Sequence, residues 1–143
     1  MTSIPEFMTN KHRECDESFI EAEAAVAKED WPLALEKWQN FVVELIKHFS
    51  QEEEILFPKF EDATGMTAGP TQVMRMEHQQ MRALVEDLDN ALVAKEKDDY
   101  LGLSETLMVM MQQHNMKEEM MLYPMMAQHI ADGEQIIEQF RVS

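Results

Sequence analysis

One pattern occurs twice in this sequence and constrains its fold more than any other feature. Residues 48–58 read HFSQEEEILFP and residues 114–124 read HNMKEEMMLYP, and both fit H-x-x-x-E-E-x-x-L-aromatic-P. The second copy begins 66 residues after the first, and the same offset relates His12 to His78. A repeat of this kind predicts two helical hairpins that carry the same polar residues at the same relative positions.

The composition favours long helices. The chain has only four glycines and five prolines in 143 residues, whereas helix formers such as Ala, Glu, Leu, Met, Gln and Lys are frequent. Apolar residues recur with helical spacing in four segments, at about 10–28, 30–62, 70–95 and 99–131. Because short connections between long amphipathic helices favour antiparallel neighbours, we expect an all-α, up-down-up-down antiparallel four-helix bundle.

We expect the whole chain, residues 1–143, to form a single domain. The bundle should occupy about 8–131, followed by a short C-terminal tail at 132–143 in which EQIIEQF forms a helical turn or two. Asp30 is placed to cap the second helix. Pro58 and Pro124 fall inside predicted helices and should bend them, since proline cannot donate a backbone hydrogen bond.

The repeat places polar residues at one level of the bundle. Residues equidistant from the turn of an antiparallel hairpin lie side by side, and the four histidines in question are His12, His48, His78 and His114. The midpoints of the first and second pairs fall at residues 30 and 96, both within predicted turns. Glu52 and Glu118 follow their histidines by four residues, a rotation of about 40° and a rise of about 6 Å, so each shares a face with its histidine.

Six such residues at core positions predict a metal centre. A buried carboxylate without a partner costs several kcal/mol or takes up a proton, so this cluster would destabilise an ordinary core. Nitrogen and oxygen ligands without a thiolate motif suit iron or manganese, and also zinc. We therefore expect a dinuclear centre with two histidines for each metal and with Glu52 and Glu118 as bridges. Glu53 and Glu119 point away by about 100° and should face solvent or support the ligands.

The motifs HFSQEEEILFP, MEHQQMRAL and HNMKEEMMLYP together resemble those of the hemerythrin-like family, whose domain is also called the HHE cation-binding domain. The resemblance covers about residues 8–131. It implies a non-haem diiron centre with an oxo or hydroxo bridge between the irons, an Fe–O–Fe unit. By resemblance, its ligands would be His12 and His48 on one iron, His78 and His114 on the other, and Glu52 and Glu118.

The third helix departs from the pattern of the oxygen-carrying hemerythrins, which have two histidines spaced H-x-x-x-H. This chain has His78 alone, with Met74 four residues before it and Arg82 four residues after it. One iron therefore lacks a ligand relative to those carriers, which argues against simple reversible oxygen carriage. Asp16, one turn from His12, could fill the position, although a salt bridge between Asp16 and Arg82 is the simpler interpretation.

Other residues that could take part in chemistry are predicted to have structural roles instead. His129 should lie at the surface or at a helix end, about 22 Å along the helix from the site. Cys15 should be a small buried residue rather than a redox sensor. Tyr123 and Phe57 should pack beneath the site without binding metal. The methionines should fill the core, and those expected to form the wall beside the metals are Met81, Met111 and Met121.

Charge and cysteine content restrict the partners. The formal net charge of −16 argues against nucleic acid and against anionic membranes. No apolar run reaches the length of about 18 residues that a membrane span needs, and the N-terminus lacks the features of a signal peptide. A single cysteine, Cys15, fits a reducing cytoplasm.

Three hypotheses about function follow. In the first, the protein binds O2, NO or peroxide at a diiron centre, for sensing, carriage or detoxification. The sequence assigns no catalytic residue and leaves open whether the protein is an enzyme. In the second, it stores or donates iron without chemistry of its own, and a chelator would then remove the metal readily. In the third, it is a metal-free interaction bundle that tolerates loss of His48 and His114.

Overall fold

The computed structural model of the chain describes residues 2–142 and is helical, with no β-strand among those residues. In chain order the α-helices are α1 (Ile4–Ala27), α2 (Trp31–Gln51), α3 (Phe57–Thr64), α4 (Pro70–Val93), α5 (Lys97–Lys117), α6 (Tyr123–His129) and α7 (Gly133–Val142). Two π-helical segments, π1 (Glu52–Leu56) and π2 (Glu118–Leu122), join α2 to α3 and α5 to α6 without a break. The all-α prediction is confirmed.

The two halves of the chain fold alike. Helix α1 packs along α2 and α4 along α5, and further contacts between α1 and α5 and between α2 and α4 complete a helical bundle. The turns that end α1 and α4 place Glu29 and Lys95 in the left-handed region, with φ of 57° and 56°. In each turn the next amide donates to the carbonyl five residues earlier, at 3.0 Å from Asp30 and 2.9 Å from Glu96. These equivalent residues lie 66 positions apart, so the repeat seen in the side chains extends to the backbone.

The helix ends are defined by local chemistry. The Asp30 side chain accepts a hydrogen bond from the Leu33 amide at 3.4 Å, which confirms the predicted cap of α2. Gly65 ends α3 with φ of 73°, a conformation that costs glycine little. The Ser3 hydroxyl accepts from the Glu6 amide and caps α1, which begins earlier than the sequence predicted.

Pro58 and Pro124 each lie at the second residue of an α-helix that directly follows a π segment. The Phe57 amide donates to the Glu52 carbonyl five residues back. A π turn contains one more residue than an α turn, so the inward positions beyond Glu118 move by one. Leu122 is buried and Met121 is 62% exposed, so the prediction that Met121 forms the wall of the site is wrong. The bend expected from the prolines thus appears as a one-residue shift in which side chains face inward.

The hydrophobic core has two parts, one on either side of the level of polar residues set by the repeat. The turn-side core lies near the α1–α2 and α4–α5 turns and centres on Phe19, Trp38, Phe41, Leu88 and Leu107. The tail-side core surrounds α3, α6 and α7 and centres on Met8, Leu56, Phe60, Met126 and Phe140. Met8 and Cys15, one turn before and one turn after His12, belong to different parts, which places His12 between them.

The C-terminal residues form a longer helix than the sequence predicted. Helix α7 contains ten residues, and its apolar side chains Ile136, Ile137 and Phe140 are buried in the tail-side core. The apolar residues of this segment recur with helical spacing, but a segment this short is not stable as an isolated helix. Burial of α7 against Ile4 and the residues around it therefore decides how long the helix is. In the part of the chain that the structure describes, none of the helices is long and apolar enough to cross a membrane.

Candidate metal centre

The structure brings together all six side chains predicted as ligands. One histidine comes from each long helix, and each glutamate is the first residue of a π segment. None of the six is more than 4% exposed; they are His12, His48, Glu52, His78, His114 and Glu118. Their donor atoms fall into two overlapping groups, within each of which all atoms lie within 4.8 Å of one another. A buried cluster of this composition can hold metal cations.

The larger group consists of Glu52, His78, His114 and Glu118. His78 Nε2 lies 3.1 Å from Glu52 Oε1, and His114 Nε2 lies 3.3 Å from Glu118 Oε1. His78 Nε2 and Glu52 Oε1 are close enough for a hydrogen bond but do not form one. Both atoms, and also His114 Nε2, are buried without a hydrogen-bond partner. Donors that approach closely without bonding to one another are directed at a common point, as ligands of a cation are.

The smaller group consists of His12, His48 and Glu118. His12 Nε2 lies 3.1 Å from His48 Nε2 and 3.0 Å from Glu118 Oε1. Glu118 therefore belongs to both groups, whereas Glu52 belongs to the larger one alone. His12 converges with the others although its helix carries no glutamate at the spacing found after His48 and His114.

Carboxylates bind the outward nitrogen of three of the histidines. His12 Nδ1 lies 2.7 Å from Glu119 Oε2, and His78 Nδ1 lies 2.6 Å from Glu53 Oε2. An Nδ1–H that donates to a carboxylate leaves the Nε2 lone pair facing inward, ready for a metal. Of the two alternatives left by the sequence for Glu53 and Glu119, support of the ligands is therefore the one observed, and each supports the histidine of the other hairpin.

The third supporting carboxylate, Glu77, was missed by the sequence analysis. Its Oε1 lies 2.8 Å from His114 Nδ1. The sequence could have indicated Glu77, because it directly precedes the ligand His78. A residue next to an inward-facing ligand on a helix points toward an adjacent helix. The repeat places Lys11 where Glu77 would be expected beside His48, and His48 Nδ1 is buried without a hydrogen-bond partner. The two halves of the site thus differ in their support.

Arg82 binds Glu53 and not Asp16, so the predicted salt bridge between Asp16 and Arg82 is wrong. Both terminal nitrogens of Arg82 contact the Glu53 carboxylate, at 2.9 and 3.1 Å. Asp16 lies outside both donor groups, and its Oδ1 is buried without a hydrogen-bond partner. Burial raises the pKa of Asp16, and the nearby Glu119 adds to the effect while His12 opposes it.

Tyr123 lies within the cluster and not merely beneath it, as the sequence had suggested. Its hydroxyl donates to Glu52 Oε2 at 2.7 Å and is 3.0 Å from Glu118 Oε1. Its equivalent in the repeat, Phe57, packs as predicted, with its ring stacked 5.8 Å from that of His78. The motif marks both positions only as aromatic, so the pattern itself does not show which of them carries a hydroxyl into the site.

The buried ionisable groups perturb one another strongly. Burial lowers the pKa of His78 to about 4 and that of His48 well below its usual value. Burial acts against the charged form of His114 as well, but Glu118 raises the pKa of His114 above its usual value. Burial and the neighbouring Glu118 raise the pKa of Glu52, whereas His114 holds the pKa of Glu118 well below its usual value in spite of burial. A bound cation would remove the conflict by favouring the ionised carboxylates and the neutral imidazoles.

The remaining predicted residues lie outside the cluster. His129 is exposed at the end of α6, as predicted. Burial, followed by the charge of Glu44, raises the pKa of Cys15 to about 12, so its thiol stays protonated at neutral pH and is unsuited to redox sensing. Met81 and Met111 are buried as predicted, while Met121 is not.

Comparison with known sequences decides the family. The sequence model of the hemerythrin HHE cation-binding domain matches residues 3–139. The chain belongs to the hemerythrin HHE cation-binding family. The match extends beyond the predicted bundle into α7, and the buried histidine and glutamate cluster fits the binding of cations that defines this domain.

One relative is an uncharacterized hemerythrin-like protein of Schizosaccharomyces pombe. It is 26% identical to this chain over 138 residues, which cover 95% of the chain and 65% of the relative. The chain thus spans less than two thirds of the length of the curated relative that it matches. No solved structure gave a significant match.

Proposed function

We propose that this hemerythrin HHE chain holds a dinuclear metal centre. His12 and His48 would bind one ion and His78 and His114 the other, with Glu118 and Glu52 as bridges. The observation that carries the proposal is the convergence of buried donor atoms that lack hydrogen-bond partners, among them His78 Nε2, His114 Nε2 and one oxygen from each glutamate. The membership of Glu118 in both donor groups supports its role as a bridge.

The proposed metal is iron, as two ions in an Fe–O–Fe centre, with manganese or zinc as substitutes. Four imidazoles and two carboxylates form a donor set without thiolate, which suits these metals. The finer architecture that we propose is an up-down-up-down antiparallel four-helix bundle made of two repeated hairpins. The contacts of α1 with α2, of α4 with α5 and between the two pairs support it.

The proposed activity is the binding of O2, NO or peroxide in sensing, carriage or detoxification. When bound, two iron ions supply the electrons and the open coordination position that such ligands require. The residues of the chain hold the donors in place and exclude water. Phe49 stacks 3.9 Å from His78, and Met81 and Met111, each three residues from a histidine of the cluster, are buried in the turn-side core. The single cysteine and the buried, protonated thiol of Cys15 fit the cytoplasm, which we propose as the compartment.

Iron storage or donation is the second candidate. It requires metal that leaves readily, whereas all six donors are at most 4% exposed and three of the histidines are fixed by carboxylates. These contacts favour a retained cofactor. Slow loss of iron to a chelator would agree with retention, and fast loss would favour donation.

The deciding experiment is metal analysis with absorption spectra of the purified chain before and after exposure to O2, NO or peroxide. We expect two iron ions per chain, near-ultraviolet bands from the bridged centre, and a spectral change with at least one of the three ligands. The double variant His48→Ala/His114→Ala should lose both ions, while His129→Ala, which removes an exposed histidine, should keep them. A chain that binds no iron, or a double variant that retains it, would overturn the proposal.

A further inference from the structure

The two halves of the site differ in the number of closely grouped donors. The half with His78 and His114 groups closely with both glutamates, whereas the half with His12 and His48 groups closely with Glu118 alone. Glu52 approaches this second half at His48, with Oε1 3.5 Å from His48 Nε2. Both groups consist of histidine and carboxylate donors from the part of the chain that the structure describes. The half with three closely grouped donors is the half beside Tyr123.

The hydroxyl of Tyr123 lies among the three donors of the smaller group. It is 3.1 Å from His12 Nε2, 3.4 Å from His48 Nε2 and 3.0 Å from Glu118 Oε1. The distances to His12 and Glu118 match the 3.1 and 3.0 Å that join His12 to His48 and to Glu118, and the distance to His48 is slightly longer. The hydroxyl also donates to Glu52 Oε2 at 2.7 Å. The side chain is fully buried, and its hydroxyl has no contact with water at the surface.

Comparison of the two repeats shows where this hydroxyl oxygen is present and where it is absent. Phe57 occupies the equivalent position in the first hairpin and stacks on His78, so the half that already has four closely grouped donors receives a ring without an oxygen. The half with fewer closely grouped donors receives the hydroxyl. Asp16, the other candidate to complete this half, lies outside the donor group.

We propose that the Tyr123 phenolate is a further protein ligand of the metal held by His12 and His48. The inference rests on the proposed dinuclear centre and assigns it a ligand of a different class. When the oxygen–metal bond forms, the O–H bond breaks and the proton leaves to solvent, as protons do when metals bind protonated ligands. A phenolate is a hard anionic oxygen donor and favours the ferric state of that ion.

The test uses the full chain loaded with ferric iron and two spectroscopic readouts. Ferric phenolate has a visible charge-transfer band, and resonance Raman excitation within it enhances the vibrations of the tyrosine ring. Wild type should show both, and Tyr123→Phe should lose both while keeping the near-ultraviolet bands of the bridged irons. The matched control is Tyr100→Phe, since Tyr100 is the other tyrosine, lies in the turn-side core and has a buried hydroxyl without a partner.

A second measurement covers the case in which Tyr123→Phe does not fold. In the Tyr100→Phe background Tyr123 is the one remaining tyrosine, so ring-deuterated tyrosine should shift the enhanced Raman bands. Loaded wild-type protein without a visible phenolate band would overturn the inference and leave the dinuclear centre intact, with Tyr123 acting as a hydrogen-bond donor to Glu52. Failure to bind iron at all would overturn the proposed function itself.

Discussion

At the scale of single residues, the partner of each imidazole distinguishes the two halves of the site. Glu77 accepts from His114, and Lys117 also contacts the Glu77 carboxylate and keeps it ionised. In the other half of the repeat Lys11 takes the place of Glu77. Its ammonium cannot accept a hydrogen bond from His48 and donates to Glu14 at 3.1 Å. One substitution between repeats therefore changes how firmly a ligand is oriented.

Replacement of Glu77 by alanine should weaken metal binding at the half that contains His114. Loss of a carboxylate that supports a histidine ligand typically lowers metal affinity by about 10- to 100-fold, because the ring is no longer held in one orientation. Competition with a chelator, followed by native mass spectrometry, measures the affinity. Glu86→Ala removes an exposed carboxylate from the same helix and serves as the control. Equal affinities in the two variants would show that Glu77 does not support the site.

At the scale of the helical elements, the π segments connect the prolines to the site. Pro58 has no N–H to donate back into π1, and the Glu53 carbonyl accepts instead from Arg75 Nη1 at 3.1 Å. The same glutamate supports His78 with its side chain. Arg75 thus fixes the backbone at the residue whose carboxylate orients a ligand, and it also contacts Glu61 at 3.3 Å.

A double-mutant cycle should detect this compensation. Arg75→Ala should lower the free energy of unfolding by about 1 kcal/mol or more, since it leaves a carbonyl without a partner. In the Pro58→Ala background the cost should be smaller, because the new amide can donate into π1. The contacts of Arg75 with Glu61 are lost equally in both backgrounds and cancel in the cycle. Urea denaturation gives the four free energies.

The repeat supplies the control for this cycle. Pro124 is the equivalent of Pro58 and follows π2, whereas the hydrogen bonds of Arg75 go to Glu53 and Glu61 in the other hairpin. Arg75→Ala and Pro124→Ala should therefore be additive to within about 0.5 kcal/mol. Additive costs for Arg75→Ala and Pro58→Ala as well would mean that Arg75 does not replace the missing hydrogen bond.

At the scale of the whole molecule, a layer of buried polar groups separates the two parts of the core. Packing in the turn-side and tail-side cores opposes unfolding, whereas desolvated imidazoles and carboxylates favour it. A cation bound between the two parts offsets that penalty only in the folded state, because the ligands converge from four helices. Metal binding and folding are therefore expected to be coupled.

Removal of metal should lower the stability of the chain. With zinc as a redox-inert probe at about 100 times its Kd, the free energy of unfolding should rise by about 2.7 kcal/mol for each ion bound, relative to chelator-treated protein. Urea midpoints with and without zinc provide the measurement. His129→Ala should respond as wild type does, and His48→Ala/His114→Ala should not respond. An unfolding midpoint that zinc leaves unchanged in wild type would contradict the coupling.

The sequence by itself determined the helical class, the duplication and the convergence of six polar residues. These depend on the 3.6-residue period and on distances along the chain to the turns, both of which can be read from the residue order. That information also placed His129 outside the site and Asp30 at a helix cap. It could not fix the rotation of each helix against its neighbours, on which contacts between helices depend.

Only the tertiary structure decided which carboxylate supports which histidine, that Arg82 binds Glu53, and that Tyr123 enters the site. Each of these contacts joins residues on different elements, and a rotation of one residue, about 100°, would exchange one partner for another. The π segments apply such a shift and expose Met121, because a wider turn changes the inward phase without a clear mark in the sequence. Residue order set the level at which the groups meet, and packing of the helices set which atoms face one another.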